Sequence, residues 1–240
     1  LQTSWLKALN PPQAGTEVSH HAGQLLEAMN SGSLLPLASR HSEALAPLWR
    51  LLIDSANSDS AEEDEDSAAV PRGRRKPKVF SGLRTARRNL TLGLLKVYVA
   101  VDDTKGVMGA SDLYKDCTRL IGHADHRIQS SSLDCLAKWN ISAINRYKKE
   151  LHGLISDKSF RETLTLFAVD TRLDDTMVPS HRPIVLPLLT TILYAKLTQR
   201  GGRGAAKNAM SQRRATIFAF FCAFDPLELK SLVALVLAPL

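Results

Sequence analysis

The sequence has few aromatic residues, few cysteines and no long hydrophobic run, and each shortage argues against a class of protein. Phe, Trp and Tyr make up 6% of the 240 residues, whereas Leu and Ala dominate the apolar set, which favours helices over a β-sandwich or barrel. Cys117, Cys135 and Cys222 have no CxxC spacing, which argues against a disulfide framework and a structural zinc site. The longest apolar runs, residues 183–195 and 216–224, are well short of the roughly 20 residues of a membrane span.

Acidic residues are missing from two long windows, and this absence separates the charges along the chain. Residues 67–101 contain no Asp or Glu but about nine Lys or Arg, and residues 176–224 contain no acid and about seven. The formal net charge is only +7, so the rest of the chain is net acidic. Such segregation favours contact with a polyanion, above all RNA. The alternative is two solvated basic faces that have no partner.

An acidic run followed directly by a basic run divides the N-terminal third from the rest. Leucines at helical spacing predict helical hairpin material over residues 1–54. Residues 55–78 hold six acids, then prolines, glycine and cations, and bury too little apolar surface to offset the entropy of ordering. We therefore predict a disordered insertion there. Its basic half is compatible with a nuclear-import signal or an RNA contact. The candidate RNA-binding residues of this half are Arg72, Arg74, Arg75 and Lys76.

After the insertion, short segments with apolar residues at helical spacing follow one another without a strand or hairpin signal. Helices are predicted over residues 79–101, 111–121, 126–139, 145–155, 159–169, 183–199 and 211–224, and a last one starts at Asp225. Such short antiparallel pairs are typical of an α-solenoid. The predicted fold is therefore all-α, with HEAT/armadillo-like repeats over residues 79–240. A plain helical bundle is the alternative.

Local signals add detail to three of these helices. Cys135, Leu136 and Trp139 share one stripe, so we expect all three to be buried. Ser159 and Glu162 have the spacing of a capping box at the start of a helix. In the last helix, Asp225 has the position of an N-cap, and a proline and an acid follow at N1 and N3.

Motifs for catalysis or metal binding are weak. His123, Asp125 and His126 cluster where one helix is predicted to turn into the next, a place where polar residues commonly serve as caps. The glycine-rich residues 201–204 lack the GK[ST] ending and the preceding strand of a phosphate-binding loop, and no Ser or Cys stands in a nucleophile motif. We therefore predict no enzyme activity, no cofactor, no metal and no small-molecule substrate.

The second basic window supplies the main candidate RNA-binding site. Its cations lie at a predicted helix end, in a glycine-rich loop and at the next helix start. There the loop backbone can approach a polyanion closely, and guanidinium groups can fork onto phosphate oxygens. In the alternative interpretation, an arginine at the helix start pairs with a neighbouring repeat. The candidates are Lys196, Arg200, Arg203, Lys207, Arg213 and Arg214.

Several short stretches carry a resemblance to a known family. They are LDCL at 133–136, SDKSFRE at 156–162, HRP at 181–183 and ILYAK at 192–196, followed by a Gly/Arg-rich loop and a pair of arginines. In this order and spacing they resemble the DRIM (down-regulated in metastasis) family, also called the U3 small nucleolar RNA-associated protein 20 family. The resemblance extends from about Asp112 to the C-terminus.

The resemblance implies a place for this chain in ribosome biogenesis. Members of that family are very long HEAT-repeat proteins of the nucleus and nucleolus. They belong to the small-subunit processome, which processes pre-rRNA toward 18S rRNA. The chain is then expected to be a fragment of a non-enzymatic scaffold. Its expected partners are pre-rRNA or U3 small nucleolar RNA and other processome proteins, and no membrane. The alternative is a protein-binding HEAT adaptor without direct RNA contact.

Overall fold

The computed structural model describes residues 16–30, 34–65, 78–167, 169, 177–199 and 207–237, and these residues form helices and connecting turns without a β-strand. The all-α prediction is therefore confirmed. None of the helices in these ranges is both long and apolar enough to cross a membrane. The helices are α1 (Thr16–Met29), α2 (Leu35–Arg40), α3 (Ser42–Glu65), α4 (Lys78–Ala100), α5 (Ala110–Leu120), α6 (His126–Ala137), α7 (Ser142–Arg146), α8 (Lys148–Ile155), α9 (Phe160–Leu166), α10 (Arg182–Thr198), α11 (Lys207–Phe221) and α12 (Lys230–Leu237), with a 3-10 turn at Pro179–His181.

Helix α3 continues beyond residue 54, where the predicted hairpin ends. Residues 55–65 are helical although the sequence predicts disorder for them. Their Ala and Glu residues have high helix propensity, and they extend a helix that is already anchored by buried Leu48, Trp49 and Leu52. Residues 66–77, which include all four basic candidates of the insertion, lie outside the described residues. For them the disorder stays a prediction.

A first unit, Leu1–Asp116, contains α1 to α4, and α4 contacts the three helices before it. Helices α1 and α4 approach so closely that a Cβ at Gly93 would lie 3.1 Å from Leu26 Cδ1. The rings of Trp49 on α3 and Tyr98 on α4 meet edge to face, with their centroids 5.7 Å apart. Helix α4 thus shares its core with the N-terminal helices. The division of the chain into hairpin, insertion and HEAT-like repeats stays a prediction.

A second unit, Cys117–Leu240, is built around α6, α8 and α10. Helix α8 contacts α6, α9 and α10, and α10 also contacts α7, α11 and α12. Gly153 permits the close approach of α8 and α9, because a Cβ there would clash with the side chain of Thr163. Most contacts thus join helices that are near one another in sequence. The innermost leucines of the core are Leu133, Leu136, Leu151, Leu154, Leu189 and Leu193.

Several local predictions for this unit need correction. Cys135 and Leu136 are buried as expected, but Trp139 lies beyond the end of α6 and is only half-buried. The Ser159 hydroxyl does not cap α9. It donates instead to the Gly153 carbonyl at 2.9 Å, because the last turn of α8 leaves carbonyls without a helical partner. Finally, α11 begins at Lys207, four residues earlier than predicted.

Candidate nucleic-acid interface

The structure separates the candidate RNA-binding residues into three groups. Six of them lie outside the described residues, namely Arg72, Arg74, Arg75, Lys76, Arg200 and Arg203. Lys207 opens α11, but its side chain is outside the described part. Lys196, Arg213 and Arg214 remain, and each of these three side chains has a different environment.

Lys196, in the last turn of α10, is buried and paired inside the protein. Its residue surface is 4% exposed, and its ammonium donates to the Ile155 carbonyl at 2.6 Å and to Asp157 Oδ1 at 2.7 Å. The Nζ atom also lies 5.9 Å from the ring centroid of Phe160. A buried ammonium needs such partners, because loss of its hydration is costly. The prediction that Lys196 contacts RNA from an exposed position is therefore wrong.

Arg213, in α11, reaches the same carboxylate. Its Nη2 lies 3.6 Å from Asp157 Oδ1, and its guanidinium carbon lies 5.8 Å from the Phe160 ring centroid. Burial acts to raise the pKa of Asp157, but the hydrogen bond from Lys196 and the nearby cationic groups outweigh it and hold the pKa below its ordinary value. Arg213 thus pairs with a carboxylate in the turn between α8 and α9, and its contact with RNA stays a prediction.

Arg214, the next residue on α11, is exposed. Phe218 follows four residues later and is 57% exposed, whereas Ile217 and Phe221 of the same helix are buried. Residues four apart lie next to each other on a helix surface, so Arg214 and Phe218 are neighbours. We call this surface the outer face of α11. Its exposed residues are Ser211, Arg214, Ala215, Phe218, Ala219 and Cys222.

A buried ion pair that the sequence did not reveal joins α10 to the turn before α12. The Nε and Nη2 atoms of Arg182 donate to the two carboxylate oxygens of Glu228, each at 2.7 Å, and Nη1 donates to the Val169 carbonyl at 2.7 Å. Glu228 also accepts a hydrogen bond from the Asp225 N–H at 3.0 Å. This is the bond that the N3 side chain makes to the N-cap backbone in a capping box. The regular helix α12 nevertheless starts only at Lys230. The pKa of Glu228 is lowered, chiefly by the hydrogen bond from Arg182. Burial acts to raise this pKa, but the hydrogen bond from the Asp225 N–H and the charge of Arg182 lower it further.

A second unpredicted cluster joins α6 to α8. His152 lies 3.0 Å from the Ser130 hydroxyl through Nδ1 and 3.1 Å from Asp134 Oδ1 through Nε2, and Lys148 contacts the same oxygen at 2.7 Å. Burial acts to raise the pKa of Asp134, but the hydrogen bonds and charges of His152 and Lys148 outweigh it and lower the pKa. The sequence signals for this cluster were the spacings of four residues between Ser130 and Asp134 and between Lys148 and His152.

Ser130, His152 and Asp134 have the residue types of a catalytic triad, but their contacts differ from those of the triad. In that triad the carboxylate contacts Nδ1 and the nucleophile contacts Nε2, the reverse of the arrangement here. Ser130 also lies inside α6, where peptide N–H groups bond along the helix and cannot serve as oxyanion donors. We therefore assign the cluster to helix–helix packing.

His123 and Asp125 form the hydrogen bonds at the start of α6. The Asp125 N–H donates to His123 Nδ1 at 2.9 Å, and Asp125 Oδ1 accepts the Arg127 N–H at 2.9 Å as the N-cap. Across the ranges that the structure describes, no group of three or more His, Cys, Asp or Glu residues is arranged to hold a metal ion.

Comparison with known proteins agrees with the motifs quoted above. Residues 85–240 match the family described as U3 small nucleolar RNA-associated protein 20, N-terminal. A curated protein of Schizosaccharomyces pombe, named U3 small nucleolar RNA-associated protein 20, is 31% identical over 115 residues. That alignment covers 48% of this chain and 4% of the yeast protein, so the chain spans a small part of its relative's length. Because the family match covers well over half of the chain, the chain belongs to the family of U3 small nucleolar RNA-associated protein 20, in its N-terminal region.

Proposed function

We propose that this chain is a segment of a non-enzymatic scaffold of the small-subunit processome, acting in nucleolar pre-rRNA processing and small ribosomal subunit biogenesis. The family match over residues 85–240 carries this proposal, because the family is named for its association with U3 small nucleolar RNA. Since the alignment covers only 4% of the yeast relative, the chain would contribute one short stretch of a much longer scaffold.

We also propose that the helices form HEAT-like repeats of a solenoid. The contacts in the second unit support this idea, since α8 packs on α6 and α9, and α10 packs on α11 and α12. In a solenoid each repeat contacts mainly its neighbours, so contacts stay local in sequence. Other processome proteins and an RNA strand would then be bound along its surface.

The RNA contact is supported by the charge of the second basic window. No acid occurs between residues 176 and 224, and Arg214 is exposed on the outer face of α11. Arg200, Arg203 and Lys207 precede it in the sequence and add three cations. Neutralised phosphates release condensed counterions, so binding through these residues weakens steeply as salt rises. Pre-rRNA and U3 RNA both offer such phosphates.

Fluorescence anisotropy with labelled RNA tests this proposal. The 240-residue chain is titrated at salt concentrations from about 50 to about 200 mM, beside a variant with Arg200→Ala, Arg203→Ala and Lys207→Ala. We expect the variant to bind more weakly, with a salt slope lower by about one for each lost phosphate contact. The matched control removes three exposed cations outside both basic windows, by Lys105→Ala, Lys115→Ala and Lys149→Ala. Equal losses in both variants would contradict the proposal.

A protein-binding adaptor without RNA contact is the second candidate function. The exposed apolar residues Val233, Val236 and Leu237 of α12 favour it, because such side chains anchor protein interfaces. Binding to a protein through an apolar surface changes little with salt. A salt-independent affinity for a processome protein, together with no measurable affinity for RNA, would support this function over the first.

A further inference from the structure

We propose that the outer face of α11 holds an unpaired RNA base on the ring of Phe218 while Arg214 binds the adjacent phosphate. This part of the chain would then select single-stranded over duplex RNA. The inference rests on the proposed RNA contact and adds the form of RNA that the contact recognises.

The position of Phe218 supports this role. The residue is 57% exposed although its helix also supplies the buried side chains Ile217 and Phe221. A core function therefore does not explain a phenylalanine at this position. Arg214 lies one turn earlier on the same side, so a cation and an aromatic ring stand next to each other.

The surroundings leave the ring accessible. Its exposed neighbours three residues before and four residues after it, Ala215 and Cys222, are small. Phe224 contacts the rings of both Phe220 and Phe221, at centroid distances of 5.8 and 5.4 Å. Phe218 has no such ring partner among the described residues. A planar ligand can therefore approach it.

The charge of the face fits a nucleic acid better than an apolar protein segment. Helix α11 contains no acidic residue, and Arg214 is exposed beside the ring. Every base has a flat π-face that stacks on an aromatic side chain, and guanidinium groups bind the neighbouring phosphate. In an A-form duplex the bases are already stacked and paired, so only a single strand can use Phe218 in this way.

Anisotropy titrations of the full chain test the inference with three probes. These are oligouridine and oligoadenosine of about 12 nucleotides and an RNA duplex of the same length. Phe218→Leu keeps an apolar side chain but removes the π-face, and we expect it to weaken single-strand binding roughly 5- to 150-fold. Duplex binding and the salt slope should stay unchanged, because the ring touches no phosphate. Phe218→Trp should retain single-strand affinity.

Two further variants separate stacking from charge and from general apolar contact. Arg214→Gln should weaken all three probes and lower the salt slope by about 0.7 to 0.9. Leu166→Ala removes an exposed apolar side chain on α9 and should leave all affinities unchanged. Circular dichroism melting curves check that each variant folds as the wild-type chain does.

The outcomes distinguish failure of this inference from failure of the proposed function. If the wild-type chain binds none of the probes, both are overturned. If it binds with the expected salt slope but Phe218→Leu matches wild type, or loses duplex and single-strand affinity equally, this inference alone is overturned. The same holds if Phe218→Trp binds no better than Phe218→Leu. The outer face would then be a surface for a protein partner.

Discussion

Replacing Glu228 with alanine is expected to lower the free energy of unfolding of the second unit by about 3–5 kcal/mol. The reason is Arg182, which is 6% exposed and would lose both hydrogen bonds that its guanidinium donates to Glu228. Glu228 is itself largely buried, with 19% of its side chain exposed, so solvent screens the pair only weakly.

The size of the loss follows from the bonds that disappear. Two N–H groups of Arg182 donate to Glu228 at 2.7 Å, and the variant loses both of these bonds. Hydrogen bonds to charged groups contribute roughly 1.5–3 kcal/mol each, which for two bonds agrees with the cost of breaking a buried pair. Replacing both partners with apolar residues of similar size removes the buried charge itself, so Arg182→Met with Glu228→Met should restore most of the lost stability.

Urea unfolding followed by far-UV circular dichroism measures these changes. We compare wild type, Arg182→Met, Glu228→Met, the double variant and Glu228→Ala in one double-mutant cycle. In thermal melts each kcal/mol should move the midpoint by about 2–4 °C for a chain of this size. Glu162→Ala, an exposed acid on α9, is the control and should stay within about 0.5 kcal/mol of wild type. A loss below about 1 kcal/mol for Glu228→Ala, or additive effects in the cycle, would refute the reasoning.

Three other expectations can be measured with similar assays. Because the pKa of Asp134 is lowered in the folded state, the unfolded chain binds more protons in acid. The stabilisation that ionised Asp134 gives the folded state is complete above about pH 5 and is lost as the pH falls through the lowered pKa. In Asp134→Asn, the free energy of unfolding should therefore decrease less between about pH 7 and about pH 3 than it does in wild type. Lys196→Met should leave RNA affinity within about twofold of wild type in anisotropy titrations, because its ammonium is held internally. Leu136→Ala should cost about 2–5 kcal/mol in urea unfolding, and Trp139→Ala less than a fully buried tryptophan would, since its ring is only half-buried.

Local sequence signals predicted the helical class well, but they could not show how distant residues pair. The stripe through Cys135 and Leu136 marks the buried side of α6, because helical periodicity records burial directly. Lys196 looked like a surface cation because no acid stands near it in the sequence. Its partner Asp157 is 39 residues away, and Arg182 and Glu228 are 46 residues apart. Such pairs depend on how α8, α10 and the turn before α12 pack, which no local pattern encodes.

The continuation of α3 and the failed cap at Ser159 have a common physical origin. Composition suggested that residues 55–65 could not order themselves, yet a helix already anchored upstream extends more easily than a new one forms. The Ser159–Glu162 spacing predicted a capping box, but a free carbonyl at Gly153 offered the hydroxyl another partner. In both cases a preceding helix decided the outcome.

The two ion pairs of Asp157 indicate where this protein tolerates insertions. One carboxylate holds Lys196 near the end of α10 and Arg213 in α11, so the two helices remain connected whatever the residues between them. Lengthening a closed loop costs little, about 0.6 kcal/mol for each doubling of its length. We therefore expect relatives to vary in the number of residues between the end of α10 and the start of α11. An affinity tag or fluorescent label inserted between Thr198 and Lys207 should leave the helical core undisturbed, but it would interrupt the row of cations that we propose to bind RNA.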